Sequence, residues 1–172
     1  MDERTYLKRI LHVQDSMFRL AKRLLTSTEE AEDAVQEVIT KLWVNMIQIA
    51  TLSNIEGYAM TMTKNYCLDR LKSSQASQLR LVHYHHEKAT TSLDKQIDAR
   101  DSVSKLMVFI EDLPDQQQLI LQLRDIEQYD FETIAQISEL SEGTVRVALS
   151  RARKKIKAQL IKAHNHGIET GS

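Results

Sequence analysis

The stretch from Phe131 to Leu160, FETIAQISELSEGTVRVALSRARKKIKAQL, constrains this chain more than any other. It reads as a helix, a tight turn and a long second helix with two opposed faces. Val145, Ala148, Leu149, Ala152, Ile156 and Leu160 recur at helical spacing and predict a buried stripe. Arg146, Ser150, Arg153, Lys154 and Lys157 fall on another stripe, with Val147 and Arg151 beside them. From Gly143 to Ile168 there are seven Lys or Arg and no acid. A helix that buries one side and offers cations on the other fits a DNA groove, so the segment reads as a DNA-binding helix-turn-helix.

The formal net charge of −1 does not argue against nucleic acid, because it sums separated patches. Residues 99–172 hold ten basic and eleven acidic groups, and seven of the ten basics lie within 146–162. Charge is felt over about a Debye length, roughly 10 Å, so the local patch governs binding. The acidic remainder suits a second, protein partner.

The rest of the chain also predicts helices. Four Gly, one Pro and 5% aromatic residues in 172 disfavour a sheet-rich fold, and 42% hydrophobic residues suffice for a core. No run approaches the roughly 18 apolar residues of a membrane span, and MDERTYLKRIL lacks the apolar centre of a signal peptide. These features predict a soluble, cytoplasmic, all-α protein. The single Cys67 excludes an internal disulfide and a cysteine zinc site, and its helical setting predicts a small buried thiol.

Along the chain, residues 4–25 form a first amphipathic helix with Leu7, Ile10, Leu11, Phe18, Ala21, Leu24 and Leu25 facing inward. Ser27 followed by Glu30 is a capping-box pattern that starts a second helix, running to about Asn45. Its inner stripe is Ala31, Ala34, Val35, Val38 and Leu42, and Trp43 is expected to close the core. Residues 46–54 read as a connector. A third helix spans about 55–73, with Ile55, Ala59, Met62 and Tyr66 inward and Lys64, Asn65, Arg70 and Lys72 outward. Residues 74–95, rich in Ser, Gln, Thr and His, read as a linker with a partly helical stretch at 78–86. Apolar periodicity returns at Ile97 and runs through Val103, Leu106, Met107 and Ile110. Leu113-Pro114 ends that helix, Pro114 takes the first position of the next, and Leu119, Ile120, Leu123 and Ile126 fill its inner side. The expected organisation is a first domain at 1–73, a linker at 74–95 and a second domain at 96–165.

Two blocks in this order carry a family resemblance. EAEDAVQEVITKLW (Glu30–Trp43) and IEGYAMTMTKNYCLDRLK (Ile55–Lys72) resemble the second conserved region of sigma-70-type RNA polymerase sigma factors. LPDQQQLILQLRD (Leu113–Asp125) with the helix-turn-helix resembles their fourth region. The short chain is similar to the two-domain extracytoplasmic-function group. The resemblance implies a factor that catalyses nothing. Its first domain docks on the clamp coiled coil of the largest polymerase subunit and reads the promoter −10 element. Its second sits on the flap tip of the other large subunit and reads the −35 element. It also implies control by an anti-sigma protein that covers or wedges between the domains.

Under that resemblance the −35 candidates are Thr144, Arg146, Val147, Ser150, Arg151, Arg153, Lys154 and Lys157. Arg146, Val147, Ser150 and Arg151 are placed for base edges in a groove about 12 Å wide. Arg153, Lys154 and Lys157 lie further along, for phosphates, and Thr144 is a helix cap or phosphate donor. The −10 candidates are Asn54, Tyr58, Thr61, Lys64, Asn65 and Arg70, which offer polar and flat surfaces to displaced bases. Asp33, Gln36, Glu37 and Lys41 are the candidate polymerase face. The family often carries Gly in the middle of the helix-turn-helix turn, where this chain has Glu139. A positive φ there costs a non-glycine residue about 1 kcal/mol.

No cofactor or metal is expected. His83, His85 and His86, with His164 and His166, read as solvated imidazoles without an acid or thiol partner. Two other readings stand beside a sigma factor. One is a dimeric helix-turn-helix regulator, although residues 1–73 lack a heptad seam for dimerisation. The other is a helical protein-binding adaptor, which leaves the basic face unexplained.

Overall fold

The computed structural model describes residues 3–25, 27–82 and 102–169, which form helices and turns without a strand. The chain divides into two compact units, Met1–Ala89 and Thr90–Ser172. The segment 83–101 lies outside the described residues, and with it His83, His85, His86, Ile97 and most of the expected linker.

In the first unit, α1 (Glu3–Leu25) packs on α2 (Thr28–Val44) and α4 (Ile55–Val82), and α2 packs on α4. A short α3 (Met46–Ile49) lies between them. The α1 seam is Tyr6, Ile10, Val13, Met17 and Leu20, a strict alternation of four- and three-residue steps. This corrects the sequence reading, which chose Leu7 and Leu11. Those two are 38% and 60% exposed. The seam starts one residue earlier because Tyr6 is able to bury its ring, its hydroxyl donating to the Leu42 carbonyl at 2.7 Å. A buried phenol needs such a partner, and this one also ties α1 to the end of α2.

Ser27 caps α2, its Oγ accepting from the Glu30 N–H at 3.4 Å. The expected inner stripe of α2 is buried as read, from Ala31 to Leu42. Trp43 is not part of it and stands 42% exposed. One helical step past Leu42 turns a side chain by about 100°, away from a seam that Leu42 already closes. The connector is also more ordered than expected. Residues 46–49 form α3, and Ile49 is buried beneath it.

Asn54 starts α4, its Oδ1 accepting from the Gly57 N–H at 2.8 Å. Gly57 permits this approach, since a Cβ there would lie 2.8 Å from Asn54 Nδ2. The helix does not stop at 73; it continues to Val82, into the sequence read as linker. Cys67 is buried as expected, and burial pushes its thiol up to about 11.

In the second unit, α5 (Ser102–Glu111), α6 (Asp115–Leu121) and α7 (Phe131–Ser138) pack on α8 (Glu142–Glu169). Pro114 sits one residue before α6, with Leu113 buried beside it. Gln118 donates to the carbonyls of Glu111 and Leu113 at 3.0 and 2.7 Å, closing the end of α5. After Leu121 the chain widens into a π-helical turn, Gln122–Ile126. The extra residue of that turn changes which side chains face in. Leu123 stays buried, whereas Ile126, expected inside, is 54% exposed. Met107, also expected inside, is likewise 54% exposed.

Candidate nucleic-acid interface

The helix-turn-helix is built by three local devices. Asp130 caps α7, its carboxylate accepting from the Thr133 N–H at 2.7 Å. That backbone bond, and then the Thr133 hydroxyl, hold the Asp130 carboxyl below its ordinary range. The helix ends at Glu139, which is left-handed at φ 59° and ψ 39°. The N–H of Leu140 then reaches back to the Ala135 carbonyl at 3.0 Å, a Schellman-type closure usually supplied by glycine. The positive φ whose cost was weighed at this position is therefore present, and a glutamate adopts it. Finally, Ser141 caps α8, its Oγ accepting from the Thr144 N–H at 3.2 Å. The Thr144 hydroxyl lies 2.9 Å from the same Oγ, so Ser141, and not Thr144, is the cap.

These devices set α8 with Val145, Ala148, Leu149, Ala152 and Ile156 buried. Leu160, the last of the expected stripe, is 40% exposed. Arg146, Val147, Ser150, Arg151, Arg153, Lys154 and Lys157 all face outward, as does Thr144. The cations among them differ in engagement. Arg146 donates to Glu142 Oε2 at 2.9 Å, and its guanidinium lies over the Phe131 ring at 4.0 Å. Arg153 pairs with Asp125 in the π-turn, its Nε donating to Oδ2 at 3.2 Å. Lys155 reaches the Asp112 carbonyl at 2.7 Å. Among the described residues, Arg151, Lys154 and Lys157 are in no ion pair.

The −10 candidates do not form one cluster. Tyr58, Thr61 and Asn65 share a stripe of α4 with Leu68 and Lys72, at steps of three and four residues. Asn65 is exposed, and Tyr58 and Thr61 are half-buried. The Thr61 hydroxyl donates to the Gly57 carbonyl at 2.9 Å. Asn54 is occupied as the cap of α4. Lys64, expected outward, is only 5% exposed, because it falls on the inner arc between Met60 and Cys67. Arg70 turns toward α2, 3.8 Å from Glu30.

On α2, Asp33, Gln36, Glu37 and Lys41 are all exposed. Lys41 pairs with Glu37 at 3.3 Å and sits 4.8 Å above the Tyr66 ring. Beside this face lies an apolar edge that sequence reasoning missed: Trp43, Val44 at 75% exposure and Ile47 at 83%. Its signal was available, since the α2 seam was complete at Leu42 and left Trp43 no inner place.

Two regions of known proteins match this arrangement. The model of sigma-70 region 2 matches residues 4–77, and that of sigma-70 region 4 matches residues 104–156, so the two cover most of the chain, one in each unit. The chain belongs to the sigma-70 family. Among curated sigma factors, it is 23% identical over 164 residues to the ECF RNA polymerase sigma factor SigW of Bacillus subtilis, with 86% of this chain and 84% of that protein aligned. It is 28% identical over 160 residues to the ECF RNA polymerase sigma factor SigE of Mycolicibacterium smegmatis, with 91% of this chain but only 60% of that longer protein aligned. Its fold resembles that of the sigma factor RpoE solved in complex with the anti-sigma factor NepR from Bartonella quintana. The TM-score is 0.69 at 18% identity, over 91% of this chain and 96% of that one. These matches place the sigma factor in the extracytoplasmic-function group. Among the described residues no helix is long and apolar enough to cross a membrane.

Proposed function

We propose that this sigma factor binds core RNA polymerase in the cytoplasm and directs it to promoters through −10 and −35 contacts, without catalysing a reaction itself. The observation that carries the reading is α8, a helix buried along one stripe and cationic along the other, set on a helix-turn-helix in a chain whose other unit is a region 2 bundle. The domains are assigned as 1–73 for polymerase and −10 binding and 96–165 for −35 binding, with the connection between them at 74–95.

In the −35 assignment Arg146, Val147, Ser150 and Arg151 read bases, and Lys154 and Lys157 hold phosphates. Arg153 joins them once it exchanges Asp125 for a phosphate oxygen, and Thr144 lines the entry of the helix. The −10 assignment rests on Tyr58, Thr61 and Asn65, whose shared stripe offers a ring, a hydroxyl and an amide to unpaired bases. Asn54 and Arg70 flank that stripe as positioning groups, and Lys64 is set aside because its burial removes it from DNA. Asp33, Gln36, Glu37 and Lys41 form the charged face for the clamp coiled coil, where charge sets specificity and on-rate more than affinity. The flap tip takes the second unit, and an anti-sigma protein is the expected inhibitor.

A dimeric regulator and a polymerase adaptor explain less, because each uses only one of the two units. The test is transcription by purified core polymerase with and without the protein. The templates carry upstream regions of genes induced on its overexpression. Defined start sites only with the protein present support the assignment. Tight operator binding by the free protein, with no change in start sites, supports the regulator instead.

A further inference from the structure

We infer that Phe131 is a positioning residue for sequence reading by Arg146. The inference rests on the reading of α8 as the −35 helix. Phe131 begins α7 and lies outside the recognition helix, yet its ring meets two guanidiniums. That of Arg146 is 4.0 Å from the ring centroid and that of Arg124 is 4.7 Å. Each arginine is anchored a second time. Arg124 donates to the Tyr129 carbonyl at 2.6 Å, and Arg146 donates to Glu142 Oε2 at 2.9 Å. The ring and the carboxylate thus fix both the plane and one edge of the Arg146 fork. Even so, 56% of the Arg146 side chain remains open to solvent.

That combination matters because an arginine reads guanine with two parallel N–H donors, which requires a defined plane. A free surface arginine samples many rotamers and loses that freedom when held. Here the stack and the Glu142 bond restrain the side chain before DNA arrives, and the guanidinium keeps most of its five donors for a base. Lys154 and Lys157 have no such restraint, as suits groups that hold phosphates at variable positions. The π-turn contributes by supplying Arg124 to the same ring.

The experiment measures −35 preference with the full chain in holoenzyme, on a promoter library randomised across the −35 element. Arg146→Ala should flatten preference at one or two adjacent positions by about tenfold or more. Phe131→Leu should flatten the same positions by about two- to fivefold, the range of a half-exposed cation–π contact. Its salt dependence should stay unchanged, since no charge is removed. Phe131→Tyr keeps the ring and should keep the preference. Glu142→Gln, an exposed change that does not touch the core, should flatten the same positions in the same direction. In an Arg146→Ala background, Phe131→Leu should add nothing at those positions. Wild-type preference in Phe131→Leu, or an even loss at every −35 position, overturns the proposal, the latter because it marks plain packing. If Arg146→Ala loses preference and Phe131→Leu does not, only the positioning role falls. If no α8 variant alters −35 preference, the −35 reading falls and the proposal with it.

Discussion

The outward stripe of α4 and that of α8 have the same helical spacing and opposite chemistry. On α4 the stripe is Tyr58, Thr61, Asn65 and Leu68, with Lys72 at its end. Of the two other cations expected there, Lys64 is buried and Arg70 is paired with Glu30. On α8 Lys154 and Lys157 lie on the stripe and Arg151 beside it, all exposed and outside any ion pair among the described residues. The difference separates two kinds of DNA contact. Duplex phosphates are held by open cations and released by salt. Unpaired bases also stack on rings and bond to amides and hydroxyls, neutral groups that release no counterions of their own.

The largest way to break this comparison is through the cores beneath the stripes. Leu20→Ala in the first unit and Ile137→Ala in the second remove side chains with 0% exposure. Each should destabilise its unit by about 2–5 kcal/mol, checked by thermal or urea unfolding. Only the second should weaken −35 contacts directly. The reverse pattern would dissolve the distinction between the units. A sharper test is salt. Lys154→Ala and Lys157→Ala in holoenzyme should each lower the slope of log affinity against log salt by about 0.9. Asn65→Ala should slow promoter opening and leave that slope as it was.

Smaller effects probe the turn that aims α8. Asp130→Ala removes the α7 cap and should cost about 1 kcal/mol in unfolding free energy. Its pH dependence follows from the depressed carboxyl. The folded state takes up the proton less readily than the unfolded chain. The cap's contribution is therefore complete above the ordinary carboxylate range and is lost as pH falls through the depressed value. Acid unfolding curves of wild type and Asp130→Ala should accordingly converge at low pH. Glu139→Gly should stabilise the fold by about 1 kcal/mol, because it relieves a left-handed glutamate at φ 59°. A lower melting temperature in that variant would contradict the turn geometry.

Much of this was legible in the sequence. The α2 seam and the α8 buried face as far as Ile156 follow from periodicity, because short polar or charged residues punctuate them clearly. Glu139 was locatable as the strained turn residue from its place between two helices. The failures share a cause. Residue type alone misjudges Tyr6, which is core, and Lys64, which is buried. A tyrosine with a carbonyl partner buries, and a lysine on the inner arc of a helix follows its helix. The helical reading at 78–86 is met as far as Val82, and only the join at 74–77 was hidden by Ser and Gln, which mark loops only weakly. The restraints on Arg146 and Arg153 come from Phe131, Glu142 and Asp125, and those from Phe131 and Asp125 needed the fold to bring α7 and the π-turn against α8.

The most direct measurement crosses variants with templates in reconstituted transcription. Wild-type, Arg146→Ala/Arg151→Ala and Tyr58→Ala/Asn65→Ala holoenzymes are each assayed on intact, −35-mutated and −10-mutated promoters. The account predicts that the arginine variant no longer distinguishes intact from −35-mutated DNA, while the Tyr58/Asn65 variant stops distinguishing intact from −10-mutated DNA. Equal sensitivity of all three holoenzymes to both elements would contradict it.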